Sequence, residues 1–375
     1  MGSTDPKKKT GKKRMTKEER AKKKRNRIIL IAVEVFVLLL MLIALYVVVL
    51  YGKIHHEDIK DEDIVINDGI DGENDINASD IATNEGLGGH MSGYRNVALF
   101  GVDARDKSLG KGNRTDTIIV ASINETTKEV KLVSVYRDTY LNIGNDSYNK
   151  ANSAYAKGGP LQAINMLNMN LDLNITDYVT VGWVGVADTI DALGGVEIDV
   201  DESEINHLNN YQVETSKSLG KSYNKVTSTG LQTLDGIQAV SYCRIRYTAG
   251  DDFKRTERQR EVIQAILDKA KKANIATLNK AANTIFEEIS TSMTFTEITE
   301  LLTDVASYSI GETDGFPAEQ YRATGDVHGA SCVMSTDLTA DVLSLHQFLF
   351  GDVGDYQPSS EVQSIAAKVH SDTGK

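Results

Sequence analysis

Residues 96–138, NVALFGVDARDKSLGKGNRTDTIIVASINETTKEVKLVSVYRD, set the architecture from which the rest of the chain is read. Three apolar runs stand in it, at 96–102, 116–123 and 130–136, each short and rich in Val and Ile, so each is expected to be a strand. The middle run is apolar on both faces, as a central strand covered on both sides must be. Downstream, residues 161–171 follow Gly158-Gly159-Pro160 and read as a helix with proline near its start. Residues 178–183 are strand-like, 186–193 a helix ended by Gly194-Gly195, and 196–200 another strand. Strand and helix alternate, which predicts an α/β domain, layered α/β/α around a central mixed sheet. Helical spacing of apolar residues returns at 256–274 and 294–308. The polar stretch 201–229 is expected to be a surface excursion, and 351–375 a polar tail without fixed structure.

The chain has 375 residues, 25% of them charged, and a net charge of −12. That negative charge is unevenly spread, because residues 1–27 are dominated by lysine and arginine. Residues 28–51, IILIAVEVFVLLLMLIALYVVVLY, form an apolar run interrupted only by Glu34, long enough to span a bilayer as one helix. The positive-inside rule puts the basic tail in the cytoplasm and the C-terminal bulk outside the cell membrane, as a single-pass protein. No small-residue cleavage pattern follows the apolar run, so the anchor is expected to be retained. Lysines beside a membrane helix already have a use against anionic headgroups, so no nucleic-acid partner is expected. Residues 52–93 are acidic and rich in Asp, Asn and Gly, and read as a flexible spacer; 94–350 is the external domain. Two cysteines, Cys243 and Cys332, are too few for a disulfide framework and match no zinc spacing. A single bridge is permitted outside the membrane, while Cys243 in a buried strand packs equally well as a thiol.

No nucleophile elbow, Walker loop, H-E-x-x-H or G-x-G-x-x-G is present, which removes most standard enzyme classes. What remains is charge at the ends of the expected strands: Asp103 and Arg105 after the first, Arg114 and Asp116 before the second, Arg137 and Asp138 after the third. The rim of an apolar sheet is where open α/β folds build their sites. Aspartates there suit a hard cation such as magnesium, and arginines suit the remaining charge of a phosphate. A second cluster lies in residues 242–260, YCRIRYTAGDDFKRTERQR. Read as a strand, its start sends Tyr242, Arg244 and Arg246 to one face and Cys243 and Ile245 to the other. From Lys254 it reads as a helix with Arg255 and Gln259 one turn apart, Arg258 and Arg260 being supporting or solvent-facing.

In order along the chain come G-x-D-x-R at 101–105, R-T-D-T at 114–117, Arg137-Asp138-Thr139, Lys150-Ala151-Asn152, and Ile190-Asp191-Ala192-Leu193-Gly194-Gly195-Val196. Tyr242-x-Arg244-x-Arg246 and Asp252-Phe253-x-Arg255-x-x-Arg258-Gln259 complete the set. The series resembles the LytR-CpsA-Psr family of cell-wall glycopolymer ligases, with departures: Tyr136 stands where the family usually has proline before its Arg-Asp pair, and the excursion after Val200 and the region after Gly311 do not follow the family's pattern. The resemblance implies transfer of a glycopolymer, a teichoic acid or a capsular or secondary wall polysaccharide, from a polyprenyl-pyrophosphate carrier to peptidoglycan through a phosphodiester. By the same resemblance Asp103 and Asp116 would hold Mg2+, and Arg114, Arg137, Arg244, Arg246 and Arg255 would grip the pyrophosphate with help from Gln259. The proton of the attacking hydroxyl would pass to Asp103 or Asp138. A lipid slot would draw on Val262, Ile263 and Ile266, whose ordinary reading is core. Two other classes stay open: a lipid-pyrophosphate-binding regulator without turnover, and a polyprenyl-pyrophosphate pyrophosphatase.

Overall fold

In the computed structural model the described residues are 48–57, 59–70, 89–104, 109–246 and 251–375. The basic tail 1–27, residues 28–47 of the expected membrane helix, 71–88 of the expected spacer, and Arg105 lie outside them. Among the described residues no helix is long and apolar enough to cross a membrane. The chain divides into two units, residues 1–52 and 53–375. In the first, the described residues 48–51 are helical.

The second unit opens with β1 (His55–His56), followed by β2 (Tyr94–Val102), β3 (Thr115–Asn124), β4 (Glu129–Val135), β5 (Tyr140–Asn142) and β6 (Tyr148–Lys150). Next come α1 (Asn152–Leu171), β7 (Asp177–Gly182), α2 (Trp183–Leu193), β8 (Val196–Val200), α3 (Glu202–Leu219), β9 (Gly230–Leu234) and α4 (Gly236–Cys243). Then follow α5 (Asp251–Lys272), α6 (Ile275–Ile285), β10 (Ile289–Thr291), α7 (Phe295–Thr303), β11 (Ser309–Phe316), the β12 (Arg322–Val327) and β13 (Ala330–Ser335) hairpin, α8 (Leu338–Phe350) and α9 (Ser360–Thr373).

Seven strands form the central sheet in the order β1-β10-β7-β2-β3-β4-β11. It is mixed: β7 runs parallel to β2, and β4 to β11, while β3 runs antiparallel to both β2 and β4. Alternation sorts its side chains as expected of a central strand set. Ala98, Phe100, Ile118, Val120 and Val133 pack on one face with residues of α1, α8 and α9. Ile119, Ala121 and Leu132 pack on the other, against Leu99 and Ile263 of α5. The three strands anticipated from residues 96–138 are therefore present, and helices cover both faces of the sheet as the alternation along the chain predicts. Val262, Ile263 and Ile266 of α5 pack into the core, their ordinary reading.

Four stretches depart from expectation. Residues 242–246 do not form a strand: α4 covers Gly236–Cys243, started by a capping box in which Asp235 accepts from the Gln238 amide and the Gln238 side chain accepts from that of Asp235. All eight residues of α4 are buried, so it carries no polar face from which a helical period is read. The excursion at 201–229 contains α3, capped by Asp201 and Glu204 in the same manner and burying Leu208, Gln212 and Thr215 at helical spacing. Part of the spacer is folded, since β1 pairs with β10 and Ile70 is buried in the core. Part of the polar tail is α9, with Val362, Ile365 and Val369 buried along one face.

One carboxylate ties these last two stretches together. Asp172, fully buried at the end of α1, accepts hydrogen bonds from Asn67 Nδ2 (2.6 Å), Tyr356 Oη (2.9 Å), the Ser359 amide (2.7 Å) and Ser359 Oγ (2.6 Å). Four donors offset the cost of burying the group. Cys243 and Cys332 are both buried free thiols.

Candidate functional site

The site is built first by the hairpin of β2 and β3. Gly101 pairs with Thr117 and Val102 with Thr115, which leaves Asp116 as the extra residue of a β-bulge. A bulge re-aims its side chain. Gly101 permits this close pairing, because a Cβ there would come within 2.9 Å of Thr117 Cβ. Asp103 leaves the end of β2 beside the bulge, and both carboxylates line one cavity of about 240 Å3.

Opposite them stand cations. Arg244 is the C-cap of α4, and Arg246 follows two residues later. Although the strand expected there is absent, both arginines line the cavity, together with Arg255 and Gln259 from one face of α5. Arg244 donates to Thr215 Oγ1 and Glu214 Oε2, each at 3.0 Å, and its guanidinium lies 5.6 Å from the centre of the Tyr211 ring. Arg255 is 2% exposed and its Nη2 donates to the Asp116 carbonyl at 3.4 Å. Gln259 is 4% exposed, and neither end of its amide has a hydrogen-bond partner among the described residues. A buried amide without partners costs free energy unless something else satisfies it.

The end of β4 completes the arrangement. Arg137 Nη1 donates to Asp116 Oδ1 at 2.7 Å, its Nε lies 3.6 Å from Asp138 Oδ2, and Lys150 Nζ sits 3.1 Å from Asp138 Oδ1. Charge alternates along this chain, so each cation is held in place by a carboxylate. Arg114 is exposed just before β3 and does not line the cavity. The remaining arginines of 242–260 are not solvent-facing. Arg258 is 1% exposed and bonded to Glu204 at 2.7 Å and to the Ile245 carbonyl at 3.2 Å. Arg260 donates to Ser134 Oγ and Thr313 Oγ1, and burial lowers its pKa.

Cys243 also lines the cavity, but burial pushes its thiol up to about 12, so at neutral pH it is protonated and unsuited to nucleophilic attack. Trp183, Tyr211 and Glu214, which sequence reasoning missed, line the cavity as well. Only Trp183 had a signal, as the single tryptophan of the chain at a strand end. Among the described residues no group of three His, Cys, Asp or Glu is arranged around a metal position. Two carboxylates facing one cavity fit a hard cation that draws its other oxygens from water and phosphate.

Carboxylates and guanidiniums lining one cavity at the end of a mixed sheet are the composition that anion binding in an α/β protein requires. The chain belongs to the LytR_cpsA_psr family, whose sequence model matches residues 55–344. It is 32% identical over 214 residues to the polyisoprenyl-teichoic acid–peptidoglycan teichoic acid transferase TagU of Enterococcus faecalis, covering 56% of this chain and 65% of that one. To the TagU of Oceanobacillus iheyensis it is 34% identical over 221 residues, covering 56% and 62% respectively. The chain thus spans less than two thirds of the length of these relatives. Among solved structures, Bacillus subtilis TagV superposes with a TM-score of 0.54 at 25% identity, over 71% of this chain and 98% of that one.

Proposed function

We propose that this protein is an extracellular phosphotransferase, anchored in the cell membrane by residues 28–51, that moves a glycopolymer from a polyprenyl-pyrophosphate carrier onto peptidoglycan. The observation that carries the reading is the cavity in which Arg244, Arg246, Arg255 and Gln259 face Asp103 and Asp116. The names of the relatives support teichoic acid as the polymer, and a capsular or secondary wall polysaccharide is the same chemistry with a different chain. Phosphoryl transfer needs positioning and neutralised charge more than a special nucleophile, and the cavity offers those two things.

In this mechanism an acceptor hydroxyl oxygen bonds to the phosphorus that carries the sugar. The phosphoanhydride breaks, and polyprenyl phosphate leaves. Arg244, Arg246 and Arg255 bind the pyrophosphate oxygens, the Gln259 amide gains the partner it lacks among the described residues, and Arg114 meets the ligand from the exposed approach. Arg137 orients Asp116 through their 2.7 Å bond. Asp103 and Asp116 would hold Mg2+, which when bound neutralises phosphate charge. Of the two carboxylates considered as proton acceptor, Asp138 is spanned by Arg137 and Lys150, which suits a positioning role. Asp103 lines the cavity and is the better placed to take the hydroxyl proton.

The test supplies the purified protein with lipid-linked glycopolymer, peptidoglycan and magnesium and looks for a covalent product. No product, or equal product from Asp116→Ala and Arg246→Ala, sinks the proposal. Tight lipid binding without turnover would mark a regulator, and released phosphate a pyrophosphatase.

A further inference from the structure

The parallel pairing of β2 with β7 sets Val102 opposite Gly182. The residue that follows each strand is Asp103 on one and Trp183 on the other, so the two leave the same end of the sheet, and both line the cavity. Trp183 is the first residue of α2 and lines the cavity that holds the arginines. Across the cavity, α3 contributes Tyr211 and Glu214. The Trp183 indole is only partly covered by the core cluster of β8, β9 and α4. Trp183 is not needed to bind phosphate, and an apolar ring left partly open against a wet, charged cavity is unfavourable unless a ligand covers it, whereas the Tyr211 ring already meets the Arg244 guanidinium at 5.6 Å.

We infer that Trp183 and Tyr211, with Glu214, form a subsite for the pyranose ring directly attached to the pyrophosphate. The inference rests on the reading of the cavity as a pyrophosphate site. An aromatic face is electronegative, and the C–H bonds on one side of a pyranose present partial positive charge, so the two stack. A carboxylate beside the stack accepts hydrogen bonds from ring hydroxyls, which is the place Glu214 occupies. Glu214 Oε2 already accepts from Arg244 at 3.0 Å, so the same guanidinium joins the phosphate and sugar ends of the ligand. The donor sugar, rather than an acceptor glycan, is the occupant because it is covalently next to the group the arginines hold.

The single tryptophan makes the subsite observable. Binding of three probes to the full chain in detergent micelles is measured by calorimetry and by indole emission: a short-chain prenyl pyrophosphate, the same pyrophosphate ester carrying one N-acetylhexosamine, and a peptidoglycan disaccharide without phosphate. The sugar-bearing probe is expected to bind about tenfold more tightly than the sugar-free one, the order of one aromatic stack. It alone should shift the emission. Trp183→Leu should erase that increment while leaving sugar-free affinity within about twofold, and Trp183→Phe, which keeps a ring and guards against misfolding, should retain part of it. An increment that survives in Trp183→Leu, or a wild-type increment below about twofold, overturns the subsite with the pyrophosphate reading intact. A shift produced equally by the phosphate-free disaccharide assigns the platform to the acceptor and also overturns it. If the sugar-free probe fails to bind, or binds Arg246→Ala as well as wild type, the pyrophosphate reading itself fails and the subsite falls with it.

Discussion

Arg258 and Arg246 belong to one arginine-rich stretch, yet the structure gives them opposite work, and substitution separates the two. Arg258 is 1% exposed, with its Nε 2.7 Å from Glu204 Oε1, its Nη1 3.2 Å from the Ile245 carbonyl, and its guanidinium 5.7 Å from the centre of the Tyr242 ring. Glu204 is 5% exposed. Arg258→Met strands that carboxylate away from water, and breaking a buried pair on one side costs about 3–5 kcal/mol. With a urea dependence of about 3 kcal/mol per M, the unfolding midpoint should fall by about 1–1.7 M. Glu204 Oε2 also accepts the Asp201 amide at 3.0 Å in the cap of α3, so the compensating change must keep an acceptor there. Arg258→Met with Glu204→Gln removes the stranded charge, preserves the cap, and should regain a large part of the loss. Arg246 is half-buried on the cavity wall: the unfolding free energy of Arg246→Ala should stay within about 1 kcal/mol of wild type while transfer falls about 10²–10³-fold. Unfolding followed by circular dichroism, with transfer assayed on the same preparations, decides it. A cost below about 1 kcal/mol for Arg258→Met, or an equal loss of stability in Arg246→Ala, refutes the division of roles.

Asp116→Asn removes charge at the bulge and one of the two carboxylates beside Arg137, and product formation should fall about 10²–10³-fold with little change in unfolding midpoint. Two buried groups that do not line the cavity should give the unfolding curve opposing pH dependences. Burial raises the Asp341 carboxyl to about 7, so its contribution is complete below the ordinary value of 3.8 and is lost as pH rises through 7. Burial lowers His346 to about 3, so its contribution is complete above 6.5 and is lost as pH falls toward 3. Between pH 7.5 and 5, wild type should therefore gain stability relative to Asp341→Asn and lose it relative to His346→Gln, and parallel curves for all three proteins would contradict both assignments.

Much of the sheet was legible because a strand buried on both faces announces itself locally. The runs in 96–138 needed only their composition and the charged residues that end them. Asp103, Asp116 and Arg137 were likewise legible as strand-end charges, and Arg255 with Gln259 as a helical pair. The misreadings have a common cause, which is that burial was settled by distant partners. In α4 every residue is covered, so no polar stripe betrayed the helix. In α3 the buried face uses Glu204, Gln212 and Thr215, residues that look solvated until the Arg258 pair and the Arg244 contact are known. The role of Trp183 depends on a register, Val102 against Gly182, that no local pattern encodes. The packing of residues 59–70 and of α9 likewise waits on Asp172, whose donors come from both ends of the domain.

Tyr136, which stands where the family usually has proline, shows how the two halves of the site are joined. Its hydroxyl accepts from Arg322 Nη1 at 2.6 Å, and its ring meets that of Phe253 edge-on at 4.7 Å. The Arg322 guanidinium lies 3.8 Å from the centre of the Phe253 ring. Tyr136 immediately precedes Arg137, and Phe253 lies two residues before Arg255, so this cluster links the strand end that orients Asp116 to the helix that carries Arg255 and Gln259. Space for it comes from Gly315 on β11, where a Cβ would stand 2.1 Å from Tyr136 Oη. That contact cannot be relieved without moving the phenol, because Tyr136 is buried and hydrogen-bonded. Gly315→Ala should thus cost about 1–3 kcal/mol, the range for overpacking, and should loosen the bond to Arg322. In a Tyr136→Ala background the obstructing phenol is gone, and the same Gly315→Ala change should be close to neutral. A double-mutant cycle with coupling above about 1 kcal/mol supports the link, whereas additive effects would mean that the phenol and the β11 backbone yield independently. Transfer activity should follow the coupling, since a displaced Tyr136 carries Arg137 away from Asp116 while Arg255 stays on its own helix.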